Sequence, residues 1–289
     1  MRSYLLALLL LLSSSVVAEE RLKVAVSIIP QKNLVERIGG ELVDVQLIVQ
    51  PGQSPATYEP TPRQMADISQ ADLYYRIGVP FEHVWMERIQ SAYPKLPILD
   101  ARAGIELRAM DEEDHHDHGH DHGEDGLDPH IWLSPPLIKI MAQSLRDRLI
   151  ELLPKQRDLL VKNHAAFLLS LDSLDSDIRA ALAGAKTKKF MVYHPSWGYF
   201  ADTYGLQQIP IESEGKEPGA KALARLIEEA KENQISAIFV QKQFSQDQAK
   251  AVASSVGAKV VAIDPLSTDY PENLRDVAKA MAESSKAAE

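Results

Sequence analysis

The amino-acid sequence predicts an α/β protein with two doubly wound lobes joined by a long, rigid helical connection. In both halves of the chain, short apolar runs rich in β-branched residues alternate with helical segments. Near-continuous apolar runs are typical of parallel strands that are buried on both faces, and strand–helix–strand repetition is typical of doubly wound sheets. A length of 289 residues also suits about two domains of roughly 100–200 residues each.

The first lobe is expected over residues 19–136. Its opening strand is the run LKVAVSII, and the helix after it should stop at the Gly39-Gly40 pair. The predicted strands are 22–29, 43–49, 73–77 and 98–99, with helices at 33–38, 61–69 and 82–92.

Linking helices are expected over residues 137–184, and the second lobe over residues 185–289. Pro154 should divide the link into two helices, because proline removes a backbone donor and clashes with the preceding turn. The second linking helix, about 28 residues long, would measure roughly 40 Å at 1.5 Å per residue. In the second lobe the predicted strands are 189–193, 208–211, 237–240 and 259–263, with helices at 221–233, 246–256 and 272–284.

The N-terminal residues 1–18 have the pattern of a cleaved secretory signal. Arg2 is followed by the apolar stretch Tyr4–Leu12 and by the small-residue site Val16-Val17-Ala18. The apolar stretch is shorter than the about 20 residues that a spanning helix needs. We therefore expect an exported protein located in the periplasm.

Composition excludes several classes of function and of metal site. The formal net charge of −10 argues against a nucleic-acid partner, because such proteins need a basic surface to displace counterions from phosphate. The absence of cysteine excludes disulfides, thiolate zinc sites and cysteine nucleophiles. A bound metal must therefore be held by imidazole nitrogen and by oxygen.

Residues 111–126, DEEDHHDHGHDHGEDG, form an acidic, histidine-rich segment without an apolar side chain. Such a segment cannot bury surface, so we expect an exposed loop. Its closely spaced imidazoles predict an auxiliary site of loose metal binding. The histidines concerned are His115, His116, His118, His120 and His122.

Three further residues could form a defined metal site between the lobes. His130 follows the acidic loop, while His194 and Asp264 each follow a predicted strand of the second lobe. Ligands of open α/β sheets bind outside the carboxyl ends of the strands, and two imidazoles with a carboxylate suit Zn²⁺ better than Mn²⁺ or Fe²⁺. Alternatively, these histidines are hydrogen-bonded structural residues and Asp264 caps a turn. The two remaining histidines, His83 and His164, are interpreted as surface residues.

Several motifs of the chain resemble the zinc/manganese-binding (cluster A-I) substrate-binding proteins of ABC importers. The resemblance covers essentially the whole chain after the signal segment, in both order and spacing. It implies two α/β lobes joined by one long helix, a divalent metal held between the lobes, and delivery of that metal to a membrane permease. The motifs are Pro55-Ala56-Thr57-Tyr58-Glu59-Pro60-Thr61-Pro62, the acidic histidine loop, Asp128-Pro129-His130, Tyr193-His194-Pro195, Pro210-Ile211-Glu212 and Ile263-Asp264-Pro265-Leu266.

The resemblance also implies a ligand set. His130 matches the second ligand of the family, His194 the third and Asp264 the carboxylate that is the fourth. The family usually has histidine as its first ligand, at the position where this chain has Ala56. Because alanine has no donor atom, the usual four-ligand site cannot form.

Several groups could compensate for the missing histidine. Candidates are Glu59, Glu212, a water molecule, a histidine of the acidic loop, or a chelated metal that brings its own ligands. The alternative is a degenerate cleft in a metal buffer or adhesin that acts through the loop. Metal-assisted hydrolysis with Glu59 or Glu212 as base is a further alternative. The chain has no HExxH pair, nucleophile elbow or phosphate loop, so we expect a binding protein and not an enzyme.

The favoured function is therefore capture of a divalent metal in the periplasm. Zn²⁺ is the expected transported ligand, with Mn²⁺ as the alternative. The partner would be an ABC-transporter permease at the inner membrane. A monomer is the simplest expectation for a carrier that must dock on such a partner.

Overall fold

The computed structural model of the protein describes residues 20–111, 126–212, 216, 218–243 and 247–286. The expected signal segment 1–18 and the five histidines of the acidic loop lie outside the described residues. The ends of that loop are described. Ala109 and Leu127 form an antiparallel bridge, and the amide of Met110 donates to the carbonyl of Gly126 at 3.2 Å.

The first lobe is a four-stranded parallel sheet with three helices. Its strands lie in the order β2-β1-β3-β4. The start of α2 illustrates how local sequence sets an element: the Thr61 hydroxyl accepts from the amide of Gln64, and Pro62 occupies the first helical position. The elements are β1 (Leu22–Val26), α1 (Ile29–Gly39), β2 (Val43–Leu47), α2 (Pro62–Ile68), β3 (Leu73–Arg76), α3 (Pro80–Ala92) and β4 (Ile98–Asp100).

Two helices connect the lobes, α4 (Pro135–Leu152) and α5 (Arg157–Leu182). The break falls at Pro154, as the sequence predicts. The 26 residues of α5 span about 39 Å. This helix packs against α1 and α4 and also against the C-terminal helix of the second lobe. No helix in the described ranges is both long and apolar enough to cross a membrane.

The second lobe repeats the first. Its parallel strands lie in the order β6-β5-β7-β8, which is the arrangement of the first sheet. The predicted α/β class with two doubly wound lobes is thereby confirmed. The elements are β5 (Lys189–Val192), α6 (Gly198–Tyr204), β6 (Gln207–Pro210), α7 (Ala220–Glu232), β7 (Ala237–Gln241), α8 (Asp247–Val256), β8 (Lys259–Ile263) and α9 (Tyr270–Lys286).

Strand order places a ligand crevice in each sheet. The order reverses between β1 and β3 in the first lobe and between β5 and β7 in the second. Open α/β sheets bind ligands outside the carboxyl ends of the strands at such a reversal. His194 follows β5, Gln243 follows β7 and Asp264 follows β8, so the second lobe presents all three at this edge.

The larger of two apolar core clusters in the described residues extends through both lobes, and the smaller lies within the second lobe. The larger cluster includes Val26 of the first sheet, Leu174 of α5, Phe239 of the second sheet and Leu274 of α9, all of them buried. Separating the lobes widely would expose part of this core to water. Because apolar burial contributes about 25 cal/mol per Å², we expect movement near the cleft to be local.

His164 on α5 is buried, with 6% of its surface exposed, so the interpretation of this residue as a surface residue was wrong. The cause is tertiary packing, because α4 covers this turn of α5. His164 Nδ1 lies 3.3 Å from Nη1 of Arg146 on α4, and its Nε2 atom is buried without a hydrogen-bond partner in the described structure. His83 is partly exposed, with its ring nitrogen 3.1 Å from the carbonyl of Gly78.

His164 should make stability depend on pH. Burial, and then the neighbouring Arg146, lower the pKa of this imidazole in the folded state. The unfolded chain therefore takes up the proton more readily, and stability is lost as pH falls below the unfolded pKa of about 6.5. We expect His164→Leu to lose less stability than the native protein between pH 7.5 and pH 5. Urea denaturation at both pH values measures this. Equal losses in the two proteins would contradict the assignment.

Candidate metal centre

His130 lies shortly before α4, and its side chain is held in place by Asp128, two positions earlier in the chain. The carboxylate of Asp128 accepts a hydrogen bond from the backbone amide of His130 at 2.9 Å, and the same Oδ1 atom lies 2.7 Å from Nδ1 of its ring. Asp128 is fully buried, so this contact is shielded from water. Since Nδ1 faces the carboxylate, Nε2 is the nitrogen on the opposite side of the ring.

His194 has the equivalent arrangement in the second lobe. Its Nδ1 atom lies 2.5 Å from Oε1 of Glu212, a buried residue just after β6. The backbone of His194 is fixed by Gln241 at the end of β7. The Gln241 side chain accepts from the amide of His194 at 3.3 Å and donates to its carbonyl at 2.6 Å.

The structure brings these two imidazoles together across the lobe boundary. The ring centroids of His130 and His194 are 5.3 Å apart, and the ring planes are inclined at 72°. Histidines that ligate metals almost always donate their second ring N–H to a carboxylate or carbonyl, which fixes the ring and its tautomer. Burial also lowers the pKa of His130, against the opposing effect of Asp128, and this favours the neutral imidazole that binds metals.

Asp264 lies at the edge of the same cleft, but a turn engages its carboxylate. Its Oδ1 atom accepts hydrogen bonds from the Gln243 side chain and from the amide of Leu266, both at 3.0 Å. The next residue, Pro265, accepts a hydrogen bond at 2.8 Å from the indole of Trp132 and so connects the two lobes. Within the described residues, no group of three or more His, Asp or Glu side chains is arranged to hold a metal ion.

Ala56 faces a cavity of about 70 Å³ that is also lined by His130 and His194. The first-ligand position of the family motif therefore opens into the cleft. The two proposed substitutes differ in position: Glu59 is exposed and outside the lining of this cavity, whereas Glu212 is buried against His194.

A polar network behind the two histidines was not found from the sequence. The Arg108 guanidinium contacts Asp111 at 2.6 Å and Asp128 at 3.4 Å, and the Gln208 side chain donates to Asp111 at 2.6 Å. Gly198 makes room for this network, since a Cβ there would lie 1.5 Å from Nη1 of Arg108. The network connects the start of the acidic loop with the carboxylate that orients His130.

Two α/β lobes on a long helix, with facing imidazoles in the cleft between them, define a substrate-binding protein. The chain belongs to the family described as ZnuA, zinc-uptake complex component A, periplasmic, whose model matches residues 24–284. The predicted family resemblance is thereby confirmed. The relatives found are named as binding, uptake or adhesin proteins and not as enzymes, in agreement with the expectation of no enzymatic activity.

Similar proteins extend this comparison. The high-affinity zinc uptake system protein ZnuA of Bacillus subtilis is 30% identical over 253 residues, which are 86% of this chain and 79% of that protein. The zinc-binding lipoprotein AdcA of Streptococcus pneumoniae is 29% identical over 89% of this chain, which spans about half (52%) of the AdcA length. A crystal structure of ZnuA superposes with a TM-score of 0.85 at 40% identity and covers 92% of this chain and 100% of that one.

Proposed function

We propose that this protein captures Zn²⁺ in the periplasm and delivers it to an ABC-transporter permease at the inner membrane. The observation that carries the proposal is the pair of facing imidazoles, each with a carboxylate on Nδ1. Because Nδ1 of each ring faces a carboxylate, Nε2 is the proposed metal-binding nitrogen of both His130 and His194. Membership of the family described as periplasmic zinc-uptake components supports the choice of cargo, compartment and partner.

In this proposal His130 and His194 are ligands, and Asp264 becomes the third ligand through its Oδ2 atom. Lys242 approaches Oδ2 only to 4.0 Å, while the two hydrogen bonds of the turn fall on Oδ1. Glu212 acts as the partner that orients His194. Nitrogen donors favour Zn²⁺, whereas Mn²⁺ favours a site richer in oxygen.

Competitive zinc titration against a chromogenic chelator tests the proposal. We compare the mature chain with a variant that lacks residues 112–125, whose flanking residues are already joined by the Ala109–Leu127 bridge. The shortened variant should keep one tight equivalent of zinc, and a large excess of Mn²⁺ should not displace it. The full chain should bind additional, weaker equivalents through the acidic loop.

Two outcomes of this titration would contradict the proposal. Loss of all tight zinc binding on removal of residues 112–125 would contradict a cleft site and support the buffer hypothesis. A tight equivalent that Mn²⁺ displaces readily would contradict the choice of zinc.

A further inference from the structure

The carboxylate that holds His130, that of Asp128, has one arginine as its cationic partner. Its side chain is fully buried, and a buried charge is costly unless an opposite charge and hydrogen bonds compensate the lost hydration. Among the described lysines and arginines, only Arg108 lies within ion-pair distance of this carboxylate, with Nη1 3.4 Å from Oδ2. The other oxygen, Oδ1, contacts the amide and the ring of His130. Arg108 and His130 therefore engage opposite oxygens of one carboxylate.

The guanidinium of Arg108 is itself fixed from both lobes. In the first lobe, its two terminal nitrogens contact the two carboxylate oxygens of Asp111, at 2.6 and 3.2 Å. In the second lobe, its Nε atom lies 3.0 Å from the carboxylate of Asp202 on α6. Arginine suits this position because its planar fork presents five N–H donors in fixed directions, which allows one side chain to pair with several carboxylates.

Backbone groups also join Arg108 to Asp128 and to α6. The amide of Arg108 donates to the Tyr199 hydroxyl at 3.0 Å, and this hydroxyl donates to the carbonyl of Asp128 at 3.0 Å. The amide of Asp128 donates to the carbonyl of Arg108 at 2.9 Å. Gly198, the first residue of α6, leaves the space for the guanidinium, because a Cβ there would lie 1.5 Å from Nη1 of Arg108. Arg108 and Asp128 are thus held together against the second lobe.

We infer that Arg108 is a positioning residue of the zinc site, and this inference rests on the proposed function. Arg108 fixes the carboxylate of Asp128 relative to the second lobe, and Asp128 in turn fixes the ring of His130. This keeps the ring in the place where it faces His194, 5.3 Å away between centroids. Arg108 does not line the cavity, so its effect on zinc passes through Asp128. Loss of a partner behind a metal ligand typically costs about 10–100-fold in affinity.

Competition with a high-affinity chelator tests this inference on the mature full-length chain, because the weaker sites of the acidic loop cannot compete with such a chelator. We expect Arg108→Gln to lower the affinity of the tight equivalent of zinc about tenfold. Arg108→Lys keeps a positive charge near Asp128 without the planar fork, so it should lose less affinity.

The matched control is Arg275→Gln. The side chain of Arg275 has a similar exposure to that of Arg108, 29% against 23%, and it also forms an ion pair, with Asp177 at 2.9 Å. It lies outside the lining of the cavity. We therefore expect the zinc affinity of this variant to stay within about twofold of the native value, since its effect is confined to stability.

Gly198→Ala tests the same contact with Arg108 still present. The new Cβ meets the end of the flexible Arg108 side chain first, so the guanidinium should move. We expect zinc affinity to fall in this variant too. The visible absorption of bound Co²⁺ should change in Gly198→Ala and Arg108→Gln, but not in Arg275→Gln. A changed Co²⁺ spectrum reports the geometry of the ligands, which a loss of stability alone leaves as it is in the folded protein.

Native zinc affinity with an unchanged Co²⁺ spectrum in Arg108→Gln would overturn this inference and leave the proposed function intact. If that variant does not fold, Gly198→Ala decides by the same criterion. An equal loss of zinc affinity in Arg275→Gln would also overturn the inference, since the effect would then come from stability. Absence of a tight zinc equivalent in the native protein would overturn the proposed function, and this inference with it.

Discussion

Zinc affinity of the cleft is expected to fall by more than about a hundredfold when His130 is replaced by alanine. Loss of a residue that merely orients a metal ligand typically costs 10–100-fold in affinity, and removal of the ligand itself should cost more. His130 is buried, its Nδ1 is held by Asp128, and the only other imidazole in the described cleft is that of His194. Chelator competition on the chain lacking residues 112–125 measures the change without interference from the loop.

The matched control for this variant is His83→Ala. His83 lies on α3 of the same lobe, and its ring contacts the carbonyl of Gly78 outside the cavity that the other two histidines line. We expect zinc affinity of the control to stay within about twofold of the native value. Equal losses of zinc affinity in the two variants would show that the effect is structural. An unchanged zinc affinity in His130→Ala would show that His130 is not a ligand.

The second large expected effect is a gain in zinc affinity. Replacing Ala56 with histidine should raise zinc affinity at least tenfold, about 1.4 kcal/mol, because a third imidazole completes the tetrahedral shell. The turn that carries Ala56 is already anchored: the amide of Ala56 donates to the Ser54 hydroxyl, and the carbonyl of Pro55 accepts from the amide of Phe81. The new side chain therefore starts from a fixed backbone at the cavity wall.

The same titration measures this gain, and the zinc-induced rise in Tm gives an independent check, since ligand binding to the folded state alone stabilises it. Ala56→Gln is the control, because glutamine has a comparable length without an imidazole nitrogen. Affinity of Ala56→His at or below the native value would contradict the placement of this residue at an open coordination position.

Much of the fold could be predicted from the sequence because it depends on local patterns. Most of the described strands are short runs rich in apolar residues, and Pro154 separates α4 from α5 because proline in a helix interior removes a backbone donor. Helix α6 was not predicted, because it begins at Gly198 after Trp197 and lacks the capping signal that Thr61-Pro62 gives the equally short α2. His164 was misjudged because its burial depends on α4, which approaches from another part of the chain.

The candidate site divides in the same way. His130, His194 and Asp264 follow from strand ends and motifs, which are local. The partners of these side chains do not follow from local patterns. Glu212 contacts His194 from the end of the neighbouring strand, and the burial of the Gln243 Oε1 atom without a hydrogen-bond partner is a property of the folded structure. Hydrogen bonds between side chains far apart in sequence leave no periodic signal, so they are found only in the folded structure.

The position of α5 between the lobes also has a consequence for biosynthesis. The first lobe completes its core only when α4 and α5 have been made, because both pack against α1. The part of α5 that packs against α9 then stays uncovered until α9 is translated and Arg275 pairs with Asp177 at 2.9 Å. Nascent chains therefore carry an uncovered apolar surface from the completion of α5 at Leu182 until α9 follows at Tyr270, and a frameshift that removes α9 would leave that surface open to aggregation and proteolysis.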